Sequence, residues 1–212
     1  MRREAWFPVA ILLALFILTD NHVGRSLGDA IFETVGISPW SEGERTGVHR
    51  PVFIGLPLLF IGMIGTVKFY KPRYPRIVSR LVIGYVLFII LYPQAAERTT
   101  MLLLHNTEGF RSIDYVKEES HCSFRSEEDK VIANCSFTMY NYGNEEEITI
   151  KPILSDEYGI RFEARTLSIR KHEKNNFGTW FEGTQNENTG FHGSSRRIGA
   201  EIQLNGITKR FE

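Results

Sequence analysis

Three long apolar runs, all within the first 105 residues, constrain this chain more than any other feature. They cover about residues 5–19, 51–67 and 77–92, and Lys or Arg flanks each: Arg2 and Arg3 head the first, and Arg80 sits near the start of the third. A helix of about 16 residues rises roughly 24 Å, short of a bilayer core of about 30 Å. Trp6, Trp40, Phe69, Tyr70 and Tyr92 are residue types that anchor helix ends at the membrane interface. The third helix has room to run on past Pro93 through Leu104. A soluble core of this size has little place for three such runs, so residues 1–105 read as a transmembrane domain.

Lys and Arg in the short loops set the orientation. Residues 68–80 (KFYKPRYPRIVSR) carry five cations and no acid, whereas residues 20–50 carry three Arg against five acids. The N-terminus and the 68–80 loop are therefore expected in the cytoplasm. The 20–50 loop and everything after about residue 105 are expected outside. The first run also has the basic start and apolar middle of a signal peptide. It lacks a small-x-small cleavage site (Leu18-Thr19-Asp20-Asn21), which favours a retained anchor.

Within the outer loop, Ser26-Leu27-Gly28-Asp29 can start a helix, with Leu27, Ala30, Ile31 and Val35 at helical spacing and Gly36 as a stop. Residues 24–37 thus read as an amphipathic helix on the outer surface, either a lid on the bundle or a docking element for a partner. Gly55, Gly62 and Gly65 stud the second span and permit close helix contact. The middle of each span lacks Asp, Glu and His, which argues against an ion or proton path.

From about residue 106 the period changes to two. Val131, Ala133, Cys135, Phe137 and Met139 alternate with Asn134, Ser136 and Thr138, and Ile148, Ile150, Pro152 and Leu154 with Thr149, Lys151 and Ile153; Ile160, Phe162 and Ala164, then Phe177, Thr179 and Phe181, then Ile198, Ala200, Ile202 and Leu204 keep the spacing of two. Turn signals separate these runs, and Asn205-Gly206 is a two-residue hairpin signal. The pattern predicts about seven short strands in an extracytoplasmic antiparallel β-sandwich over residues 106–212. Pro152 points to an edge strand or bulge. The fold class is thus a helical membrane anchor plus an all-β domain.

If residues 127–130 close a hairpin, Cys122 faces Cys135 and Phe124 faces Ala133. A cross-strand disulfide then suits an oxidising compartment. It closes a loop of about 14 residues and stabilises by about 3 kcal/mol.

Residues 135–159 (CSFTMYNYGNEEEITIKPILSDEYG) resemble bacterial immunoglobulin-like adhesion and accessory modules: a strand ending in Asn-x-Gly-Asn, a second strand, then an Asp-x-x-Gly turn. The resemblance covers about residues 130–212. It implies a sandwich that binds or scaffolds without catalysis, and it carries over no catalytic residue. The three-helix anchor with its outer Pro39-Trp40-Ser41 segment resembles uncharacterised membrane proteins of Gram-positive bacteria. Together these imply a bacterial cytoplasmic membrane.

Sequence motifs of metalloproteases, redox Cys pairs, serine hydrolases and phosphate-binding loops are absent. His121 and Cys122 are adjacent and so face opposite sides of a strand. Residues 186–197, which hold His192, Ser194 and Ser195, are rich in Gly, Ser and Asn and read as a flexible loop. Two acidic hairpin tips at one end of the sandwich would gather Glu127, Glu128 and Asp129 with Asp156 and Glu157, hard oxygen ligands of the kind that suit Ca²⁺. Acidic tips are also commonly just solvated, and no EF-hand spacing occurs here, so neither a metal site nor a cofactor is expected. Phe177 and Phe181 fall on the core face of their strand and Trp180 on the opposite face, making Trp180 the candidate for partner binding. The net charge is zero and no basic stripe lies outside the membrane flanks, which argues against nucleic acid. The expected partners are the lipid bilayer and a protein of the membrane or envelope. The expected role is a non-enzymatic accessory or assembly subunit. A transporter or channel subunit, or a surface enzyme, are the alternatives.

Overall fold

The computed structural model describes residues 3–42, 45–127, 130–154, 158–185 and 192–211. The chain forms two compact units, Met1–Arg98 and Thr99–Glu212.

The first unit is helical. Its elements are α1 (Trp6–Leu18), α2 (Leu27–Thr34), α3 (Val52–Tyr70) and α4 (Ile77–Leu103). Helices α3 and α4 are long and apolar enough to cross a membrane, whereas α1 has 13 residues. At about 1.5 Å per residue α1 spans roughly 20 Å, α3 about 28 Å and α4 about 40 Å. Helix α4 continues through Pro93, which extends it well beyond residue 92.

Glycines set the packing of α1 on α3. A Cβ at Gly55 would lie 2.5 Å from Leu18 Cδ2, and one at Gly62 would lie 2.8 Å from Ile11 Cγ1 and 3.0 Å from the Phe7 carbonyl. The absence of side chains therefore lets the two helices run antiparallel in contact. Phe7 stacks on Phe69 at 5.3 Å between ring centroids.

Helix α2 begins with a capping box. Ser26 Oγ accepts from the Asp29 amide at 3.0 Å, and Asp29 Oδ2 accepts from the Ser26 amide at 2.9 Å. Its burial is the reverse of a lid's. Gly28 and Asp29 are buried, with Gly28 against Ile17 and Pro51, while Leu27, Ile31 and Val35 are exposed. The small side of the helix lies inward because only there can the backbone approach α1 so closely.

The second unit holds ten strands among the described residues: β1 (Ile113–Tyr115), β2 (His121–Glu127), β3 (Lys130–Asn141), β4 (Glu147–Ile153), β5 (Ile160–Phe162), β6 (Arg165–Ser168), β7 (Glu173–Gln185), β8 (His192–Arg196), β9 (Gly199–Leu204) and β10 (Ile207–Phe211). One sheet runs β5-β7-β3-β2-β8, with β1 taking over beside β3 where β2 ends; the other runs β10-β9-β4-β6. All pairings are antiparallel. Inward residues of both sheets meet in one buried cluster, with Val131, Ala133 and Phe137 from β3, Ile148 and Ile150 from β4, and Ile202 and Leu204 from β9. Phe137 stands at its centre, 5.8 Å from the Phe181 ring and 6.1 Å from Phe177.

The count of seven strands omitted β1, β6 and β8. Each has five residues or fewer, and β6 and β8 lack an alternating apolar pattern, so main-chain pairing rather than burial holds them in place. The stretch read as a flexible loop is, over residues 192–196, strand β8, paired with β2 along its length. Strand β4 lies between β9 and β6 along Glu147–Ile150 and is an edge only beyond that, at Pro152. The β6 pairing stops at Ile150, so the missing N–H of Pro152 falls beyond the reach of that neighbour.

Leu204 faces Ile207 across Asn205-Gly206, and both turn residues have positive φ (49° and 79°). This is the backbone of a tight primed hairpin turn.

Candidate functional site

Cys122 and Cys135 are direct cross-strand partners and form a disulfide, with Cα atoms 4.0 Å apart. The register follows from the β2–β3 hairpin, in which Glu127 pairs with Lys130 and Phe124 with Ala133. Both cysteines are buried in the core cluster.

The opposite face of that sheet carries a groove of about 550 Å³, bordered by β2, β3, β7 and β8. Pairing register builds its floor and walls. Trp180 lies beside Asn134, Asn134 beside Ser123, and Ser123 beside Ser194. In the neighbouring row, Ile132 lies beside Arg125, which faces His192. Gly178 keeps the floor open beside the tryptophan: a Cβ there would meet only the Cys135 carbonyl, at 3.9 Å. Trp180 is 47% exposed, and the Arg165 guanidinium covers one side of its ring at 3.6 Å from the centroid. A cation held over an indole face fixes the ring's orientation. The Lys130 ammonium bonds Glu182 at 2.7 Å; this holds the Glu182 carboxyl below its ordinary pKa and the Lys130 ammonium above its own.

The groove thus offers one fixed aromatic edge and a row of hydrogen-bonding side chains. Those are the properties of a recognition surface, where Trp and Arg are the residue types that most often dominate affinity. Phe181 is fully buried and Phe177 packs against the core, so the aromatic residues of β7 divide between core and surface as strand alternation requires. His121 is exposed while Cys122 is buried.

The acidic hairpin tips are described only at Glu127, which forms an exposed ion pair with Arg125. Glu128, Asp129, Asp156 and Glu157 lie outside the described residues. Among the described residues no cluster of three His, Cys, Asp or Glu side chains is placed to hold a metal.

One polar cluster escaped sequence reasoning. In the first unit, Asp29 Oδ1 bonds His49 Nε2 at 2.6 Å, and the His49 ring stacks on Trp40 at 4.6 Å. Arg50 Nη1 donates to the Ser38 carbonyl at 2.8 Å. These contacts fasten both ends of the 38–50 segment, and Asp29 is buried because it serves both the helix cap and the histidine. The Ser26-x-x-Asp29 spacing signalled the cap; nothing local signalled His49, which is 20 residues away.

No protein-family model, curated protein or solved structure matches this chain.

Proposed function

We propose that this chain is a non-enzymatic bacterial membrane protein that carries an extracytoplasmic, immunoglobulin-like β-sandwich as an accessory or assembly subunit for a membrane or envelope protein. The observation that carries the membrane reading is α4, a 27-residue helix whose apolar stretch, about residues 77–92, contains no buried residue. An apolar surface of that length is stable in lipid and not in water. Helix α1 is too short to span the core unaided, so its place as a third span rests on its glycine-lined contact with α3 and on Trp6 at its start. Helix α2, with its apolar residues turned outward, suits a position in the outer interface.

A buried disulfide fits an oxidising compartment, and the five cations of residues 68–80 fit the cytoplasmic side. Partner recognition is assigned to the groove beside Trp180, because a half-exposed tryptophan clamped by an arginine makes a rigid contact that loses little entropy on binding.

In-cell cross-linking followed by affinity purification and mass spectrometry tests this reading, with Trp180→Ala as the comparison. The expected result is one reproducible membrane or envelope protein whose recovery falls at least about tenfold in the variant, as truncation of a central tryptophan does elsewhere. Recovery of the chain alone, or equal recovery of the partner with Trp180→Ala, would refute it.

A further inference from the structure

The helices of the first unit are packed unequally. Helices α1 and α3 meet through glycines, whereas α4 meets α1 through rings: Phe16 contacts Phe88 at 5.2 Å and Tyr92 at 5.3 Å. Gly84 of α4, by contrast, meets no atom of its neighbours within 4 Å of a Cβ position. The result is an apolar cavity of about 440 Å³ bounded by Leu12 and Leu15 of α1, Met63 of α3, and Arg80, Gly84 and Phe88 of α4. The last three lie at i, i+4 and i+8 on one helix face. They run about 12 Å along the axis, within one leaflet of a core about 30 Å thick.

Phe88 and Arg80 lie at opposite ends of the α4 lining, and Arg80 is the one charged residue in it. Arg80 also lies 5.8 Å from the Tyr74 ring centroid, beside a loop with four further cations. The sequence holds no Asp or Glu between Glu44 and Glu97, so cations outnumber acids at this end, where Glu4 at the head of α1 faces the five cations of residues 68–80. An apolar slot one leaflet deep with a cation at its mouth matches one molecule type in its surroundings: a lipid with an acyl chain and an anionic phosphate.

We propose that this cavity binds an anionic phospholipid of the cytoplasmic leaflet, one acyl chain lying between α1 and α4 and the phosphate on Arg80. The proposal rests on the membrane reading given above. Such a lipid would fill the gap that α4 leaves and neutralise the start of the helix.

The test uses the full chain in a mild detergent containing equal phosphatidylglycerol and phosphatidylcholine, with retained lipid counted by native mass spectrometry. One phosphatidylglycerol should be retained in preference to phosphatidylcholine. Arg80→Gln should lower that preference about fivefold, the effect of one basic side chain at an anionic surface. Gly84→Leu should abolish retention of either lipid. A Cβ at Gly84 meets nothing within 4 Å, so the new side chain fills the cavity without a clash and helix content stays that of the parent. Val86→Leu, outside the lining, should retain the lipid.

No preference for phosphatidylglycerol, undiminished retention in Gly84→Leu, or recovery as a dimer without lipid would each overturn the proposal. Alkaline carbonate extraction of the membranes separates the two failures. Release of the chain would overturn the membrane reading and this proposal together, whereas retention in the membrane without lipid selectivity would overturn the lipid site alone.

Discussion

Replacing both Cys122 and Cys135 by Ala removes the covalent tie between β2 and β3 and leaves their main-chain pairing in place. The bond joins residues 13 apart, a loop of about 14 residues, whose closure in the unfolded chain is worth about 3 kcal/mol on the chain-entropy scale. Both sulfurs are buried beside Phe124 and Ala133, so lost packing adds to this figure. At 1.36 kcal/mol per tenfold, 3 kcal/mol is a factor of about 150 in the opening equilibrium. Hydrogen-exchange mass spectrometry of the full chain in micelles reads this directly from the slowest amides of β3, which exchange through global opening of the domain. Exchange across residues 131–139 should quicken by at least about a hundredfold, and reductant should bring the parent chain to the same rate. Amides of α3, in the other unit, should be unchanged. A change in β3 below about threefold would refute the argument that the cross-link carries a large share of the domain's stability.

Three further outcomes follow from the same structure. Phe137→Ala should destabilise the β domain by about 3–5 kcal/mol and Trp180→Ala by less than about 1 kcal/mol, since Phe137 is fully buried and Trp180 half-exposed; exchange in β3 distinguishes them. Gly62→Leu should separate α1 from α3 at a cost of about 1–3 kcal/mol, read as a severalfold loss of disulfide cross-linking between Cys residues placed at Phe7 and Phe69. Glu201 bonds Lys151 at 2.7 Å and Arg210 at 2.9 Å, and the Lys151 bond holds its carboxyl below the ordinary 4.5. Its contribution, about 0.5 kcal/mol for a half-buried pair near the surface, should be present above pH 4.5 and vanish as pH falls through the lowered pKa, so melting curves of the parent and Glu201→Gln should converge in acid.

Much of the architecture was legible because burial leaves a periodic trace. The alternation of Val131, Ala133, Cys135, Phe137 and Met139 announced β3, and counting across one hairpin placed Cys122 opposite Cys135. Asn205-Gly206 announced its turn because few other residues tolerate two successive positive φ values. Strand β8 left no such trace, since its side chains are small, polar and mostly exposed; it is a strand because β2 offers an unpaired edge. Pro152 signalled a lack of pairing on one side, which holds only beyond Ile150, because the neighbours of β4 differ in length. The side of α2 that lies inward was equally hidden, because an apolar stripe signals burial in protein and in lipid alike. At the candidate groove, strand alternation put Trp180 on the surface, but the clamp by Arg165 joins residues of different sheets and leaves no sequence signature. The Asp29–His49 pair and the cavity beside Arg80 are likewise products of tertiary packing.

The proposal that a membrane separates the 68–80 loop from the β domain is open to a direct check by labelling single cysteines in intact cells. The native cysteines are bonded to each other and leave a silent background. Lys71→Cys and Ser194→Cys each place a thiol at an exposed position. A membrane-impermeant maleimide should label Ser194→Cys in intact cells and Lys71→Cys only after the membrane is opened. Labelling of both positions in intact cells, or the reverse pattern, would contradict it.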